Sequence, residues 1–241
     1  MASAPKKSRL ERFSSSTSSG ATAKVGRQPA RAKPGARLDP LRATALLFIA
    51  AGAILIVSFF YATSQAIADQ QSLDQAWKRD VRVPIVTPPI VDPSLMRPVN
   101  GVDFAIVIPK LHYFAAVKEG ISSTVLYSGP GHYPQTPWPG DPGTVGVADH
   151  NVYWINAAQL SAGDEVDLQT RYGTYKYHVT GTRIVNPSDT TVLVPDAPGY
   201  HLLLTTCWPL WAGAFATQRF VIFTDQFYPR ILMHTGTSTT S

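Results

Sequence analysis

The chain is 241 residues long, 44% hydrophobic and 15% charged, with a formal net charge of +5. That charge is uneven: residues 1–42 carry ten Lys/Arg against two acidic residues, and the remainder carries eleven against fourteen. A nucleic-acid surface is expected as a basic patch on the folded part, which here is slightly acidic, and the single cysteine, Cys207, excludes an internal disulfide framework or a cysteine-built metal site.

Residues 1–42 are rich in Ser, Ala, Lys and Arg, include Ser14-Ser15-Ser16-Thr17-Ser18-Ser19-Gly20, and show no hydrophobic periodicity. Such a segment cannot bury enough apolar area to offset chain entropy, and it reads as a disordered basic tail. From Ala43 to Ala62 the chain is an almost unbroken apolar run, with no charged residue before Asp69. Twenty such residues span a bilayer as a helix, so residues 43–68 are expected to be a transmembrane signal anchor. The basic flank before it places the N-terminus in the cytoplasm and the rest of the chain outside. The competing reading is a cleaved signal peptide ending at Ala66-Ile67-Ala68; the length of the apolar run and of the basic region before it favour an uncleaved anchor.

Residues 69–102 read as a stalk followed by a spacer. Ser64 to Arg79 has a helix-compatible composition that extends the anchor, and Pro84, Pro88, Pro89, Pro93 and Pro98 favour an extended linker. Packing of Val81 to Val91 as an edge strand is the alternative. Residues 103–230 then read as short strands with turn signals and little helix. The expected strands are Phe104–Ile108, Ala115–Val117, Thr144–Ala148, Glu165–Thr170, Thr174–Ile184, Leu202–Thr205 and Phe220–Phe227, with one or two helical turns over Trp154–Leu160. Arg171-Tyr172-Gly173 is a hairpin signal. This spacing of short strands predicts a mostly β fold, a closed or nearly closed antiparallel barrel. Residues 231–241 read as a mobile tail.

Three residues suggest a chemistry. Cys207 ends the apolar run Leu202-Leu203-Leu204-Thr205-Thr206, which delivers a thiol to the open end of a buried strand. Arg219 opens the next strand, beside that thiol, and His150 follows the short apolar run Val145-Gly146-Val147-Ala148. A free cysteine is ordinarily a small buried hydrophobe; the His150 and Arg219 context favours a nucleophile instead. His132 is the rival base, and its plain reading is a loop histidine between Pro130 and Pro134.

The order His, Leu-Thr-Thr-Cys, Arg resembles the sortases, cysteine transpeptidases of bacterial cell surfaces. Gly129-Pro130-Gly131-His132-Tyr133-Pro134, Pro139-Gly140-Asp141-Pro142-Gly143 and Thr205-Thr206-Cys207-Trp208-Pro209 resemble the class D, E and F group, class E in particular. Two positions depart from the family pattern: Leu203 stands where the motif begins with Thr, and Asp149 where Gly commonly precedes the histidine. The resemblance implies an eight-stranded β-barrel with short helices and no cofactor or metal. It implies Cys207, His150 and Arg219 as catalytic residues and Tyr133, Thr205 and Thr206 as substrate-binding ones. It further implies a reaction in which the thiolate attacks the Thr carbonyl of an LPxTG- or LAxTG-like sorting signal on a surface protein, and a thioacyl intermediate passes to an amine of a lipid-linked cell-wall precursor or a pilin lysine.

The alternative function is a non-catalytic, membrane-anchored β-barrel that binds wall or pilus components. For Asp149 two readings are open. If His150 faces the thiol from a strand, alternation turns Asp149 away and its replacement by Gly is nearly neutral, which is the expectation taken here. If His150 already lies on the loop after the strand, alternation no longer separates the two and Asp149 can orient the ring.

Overall fold

The computed structural model describes residues 39–87 and 92–229. The expected disorder before residue 39 and the expected mobile tail fall outside them. Among the described residues, those up to Ile49 and those from Ala50 onward fall in separate units, and the second contains the barrel.

The first element, α1, is a 41-residue helix over Pro40–Asp80. Proline at its first position costs no hydrogen bond, and Lys78 and Arg79 in its last turn oppose the negative end of the helix dipole. The helix is long and apolar enough to cross a membrane. Its C-terminal part does not stand free as a stalk. Gln70 Nε2 donates to Ala116 O at 3.0 Å, Asp74 Oδ1 accepts from Ala116 N at 2.7 Å, and Trp77, 4% exposed, joins the hydrophobic core beside Val102. Burying an indole removes on the order of 200 Å² from water, a gross gain of about 5 kcal/mol before chain entropy is charged against it. The described residues on either side of 88–91 also bond to the domain. Thr87 Oγ1 donates to Thr174 O and accepts from Thr174 N, while Arg171 donates to Leu95 O and Ser94 O.

Eight strands follow: β1 Val102–Ile108, β2 Tyr113–Glu119, β3 Gly131–His132, β4 Gly143–Ala148, β5 Glu165–Thr170, β6 Gly173–Val185, β7 Tyr200–Trp208 and β8 Gln218–Tyr228. A one-turn helix α2, Ser123–Leu126, precedes β3, and a short 3-10 turn covers Ala157–Gln159. The sheet closes in the order β1-β2-β3-β4-β7-β8-β6-β5. The closed barrel is as expected, but it is not wholly antiparallel, because β2 pairs with β3 and β4 with β7 in parallel. Strand periodicity identifies strands without identifying their partners, and the β4–β7 pairing is long-range, with the whole β5–β6 hairpin between them. The two-residue β3 is too short to leave a periodic signal. Its Gly131 is required by packing: a Cβ there would lie 2.0 Å from Gly120 O.

Alternation along β7 and β8 builds two faces. Leu202, Leu204, Phe220 and Ile222 enter the main core with Phe104, Ile106, Trp154 and Tyr177. Leu203 and Val221 face outward with Val185 and are covered by Val192 and Leu193 from the segment between β6 and β7.

Candidate active site

The ends of β4, β7 and β8 bring the three sequence-predicted residues together. β7 and β8 are antiparallel with Cys207 directly opposite Arg219, and Arg219 Nη1 donates to Cys207 Sγ at 3.4 Å. The thiol is half-buried. On the other side of β7, parallel β4 pairs Ala148 with Thr205. Cys207 lies two residues past that pair on β7, and His150 lies two residues past it on the turn that follows β4. Burial and the Arg219 charge together push the His150 imidazole below its ordinary range.

Arg219 also borders a cavity of about 410 Å³ on the outer face of β7 and β8. Tyr133 and Thr205 line it with apolar Val192, Leu193 and Val221, and Tyr133 OH lies 3.1 Å from Thr205 Oγ1. Gly146 is what admits the tyrosine, since a Cβ there would sit 2.8 Å from Tyr133 Cδ2. Thr206 departs from expectation. Its side chain points to the barrel interior, 2% exposed, and its Oγ1 has no hydrogen-bond partner. It does not line the cavity, as alternation with Thr205 and Cys207 requires.

The remaining candidates separate as clearly. His132 is 2% exposed, with Nδ1 2.8 Å from Asp103 Oδ2 and Nε2 3.0 Å from Thr136 Oγ1; it is part of the core, not a base at the thiol. Trp208 stacks on Phe220, and Trp211 is 83% exposed. Among the described residues no group of three or more His, Cys, Asp or Glu is placed to hold a metal ion.

Asp149 overturns the alternation argument. β4 ends at Ala148, so Asp149 and His150 lie on the turn that follows, and the carboxylate turns inward. Oδ1 accepts from His150 N at 2.8 Å and Oδ2 accepts from Tyr113 OH at 3.0 Å. Loss of solvent is the main influence on that carboxyl and pushes it up to about 8, against the opposing pull of the His150 N–H, Tyr113 and Lys118. Tyr113 was not a sequence candidate. At the start of β2 it reads as an ordinary strand aromatic, and only the fold brings it to Asp149.

The sortase domain family matches residues 106–226. Sortase D of Bacillus subtilis (strain 168) is 29% identical over 117 residues, 48% of this chain and 59% of its own length. Sortase SrtE1 of Streptomyces coelicolor is 30% identical over 220 residues, 78% of this chain and 59% of its own length. The chain thus spans less than two thirds of either relative. Among solved structures, the SrtA sortase from Actinomyces oris superposes with a TM-score of 0.50 at 26% identity, over 61% of this chain and 89% of that one.

Proposed function

This chain belongs to the sortase family, and on that premise we propose that it is a cysteine transpeptidase that cleaves a C-terminal sorting signal after threonine and joins the acyl group to an amine. The observation that carries the proposal is the opposition of Arg219 and Cys207 across β7 and β8, with His150 on the turn just past the Ala148–Thr205 pair.

Each role follows from a side chain's chemistry. His150, whose imidazole is shifted toward its neutral form by burial and by Arg219, takes the Cys207 proton, and the thiolate attacks the threonine carbonyl. Negative charge gathers on the carbonyl oxygen, where the Arg219 fork supplies permanently charged donors. As the intermediate collapses, the C–N bond breaks and His150 returns its proton to the leaving amine, leaving a thioester on Cys207. An incoming amine then attacks the thioester, His150 removes its extra proton, and Cys207 is released. The cavity lined by Val192, Leu193 and Val221 offers the substrate's apolar side chain a place, with Tyr133 and Thr205 at its edge.

The substrates in this reading are surface proteins with LPxTG- or LAxTG-like signals, and the acceptor is a lipid-linked wall precursor or a pilin lysine. The apolar α1 anchors the chain in the membrane with its basic N-terminal flank cytoplasmic and the barrel outside. The test is to incubate the full chain in detergent with peptides of both signal types and an amine, and to read the products by mass spectrometry. The parent is expected to form the amine adduct, and Cys207→Ala to form none. Peptide that binds to the parent without being joined to amine would instead favour an anchored binding barrel.

A further inference from the structure

The turn that carries His150 has no strand beside it on the β3 flank. β3 ends its pairing with β4 at Gly131 opposite Ala148, and the next two residues, Asp149 and His150, lie past that ladder. On the β7 flank Asp149 N donates to Thr205 O at 3.1 Å. On the open flank its side chain takes the place of the missing strand. It is 3% exposed, bonds the His150 main chain through one oxygen and reaches Tyr113 on β2 through the other. The far side of His150 is also held, because His150 O accepts from Tyr153 N and Trp154 N at 3.0 and 3.2 Å. Trp154 is buried and packs edge-on against the Tyr113 ring. Both peptide groups of His150 are therefore fixed, one of them through Asp149.

We propose that Asp149, with Tyr113, is a positioning residue for His150: a buried tether that fixes the main chain that carries the imidazole. The tether acts through hydrogen bonds and not through charge. The imidazole responds to burial and to Arg219, while Asp149 bonds the backbone N–H and not the ring. An amide can replace such a carboxyl, its oxygen accepting from His150 N and its NH2 donating to the Tyr113 oxygen. Glycine cannot, and it also frees the backbone at a point where small displacements of a reacting group are costly.

The kinetic part of the test rests on the transpeptidase reading, so it is paired with one that does not. In the full chain in detergent, Asp149→Gly is expected to lower kcat about tenfold, with KM and the alkylation rate of Cys207 within about twofold. Asp149→Asn is expected to restore kcat to within about threefold of the parent, and Tyr113→Phe to lie between them, because it loses one of the two bonds. The independent readout is the His150 imidazole resonance by NMR, expected to move and broaden in Asp149→Gly and to stay near the parent position in Asp149→Asn. Parent-like kcat and resonance in Asp149→Gly would overturn the proposal, and so would an Asp149→Asn variant as impaired as the glycine. Should Asp149→Gly not fold, Tyr113→Phe with kcat and resonance unchanged overturns it. A parent inactive on every peptide would count against the transpeptidase reading, and the resonances would still decide the tether.

Discussion

Cys207 and Arg219 are directly opposed partners in the β7–β8 ladder, with a guanidinium nitrogen 3.4 Å from the thiol sulfur. A ladder partner is held by backbone hydrogen bonds on both strands, so the guanidinium is brought to the site by the sheet rather than by a loop. Lysine at the same position would carry the charge but not the planar fork. Arg219→Lys is expected to lower turnover at least tenfold and Arg219→Ala about a hundredfold, measured as peptide–amine product formed per enzyme. A lysine variant as active as the parent would show that charge alone suffices.

The same arginine acts on His150. Burial and the Arg219 charge both disfavour the imidazolium, so the histidine titrates below its ordinary range. Removing the positive charge removes the second influence and leaves the first. In Arg219→Ala the His150 pKa is expected to rise toward the unperturbed value without passing it, read by NMR titration of the ring. A downward shift would mean that Arg219 does not face the imidazole.

Much of this site is legible in the sequence because it lies on strands whose composition is unambiguous. The Leu202–Leu204 run must be buried, Cys207 must sit near its end, and Arg219 opens the next β-rich run. What composition does not contain is the choice of partner strand. The parallel β4–β7 pairing sets the His150–Cys207 register, yet nothing local in either strand specifies it. The exposed-looking helix residues Gln70 and Asp74 gave no sign that they satisfy the backbone of Ala116. For Asp149 the alternation rule is sound, but β4 stops at Ala148, two residues short of His150, so the loop alternative applies.

Thr206 offers a test of the inward-facing assignment. A buried hydroxyl with no partner carries a desolvation cost of about 1–3 kcal/mol, and valine has nearly the same shape. Thr206→Val is expected to raise the melting temperature by a few degrees and to keep turnover within about threefold. A large loss of activity without loss of stability would return Thr206 to the substrate-binding residues.

Burial of Asp149 has a signature in stability against pH. The folded-state carboxyl is pushed up to about 8, above its unfolded value near 3.9, so the folded protein holds the proton more tightly. The stabilisation from that proton is complete below the unfolded pKa and is lost as pH rises through the folded one. Asparagine has no proton to lose. The melting temperature of Asp149→Asn minus that of the parent is therefore expected to grow from pH 5 to pH 9; a constant difference would mean that Asp149 is solvated or ionised in the folded state.

The most direct test of the central claim is intact-protein mass spectrometry of the full chain after brief exposure to an LAxTG-like peptide without amine, followed by mapping of the modified residue. The account predicts a thioester at Cys207 carrying the peptide up to threonine, discharged when amine is added and absent in Cys207→Ala. The adduct should form much more slowly in His150→Ala and Arg219→Ala. Peptide joined to amine by Cys207→Ala, or an acyl group found on any other residue, would contradict it.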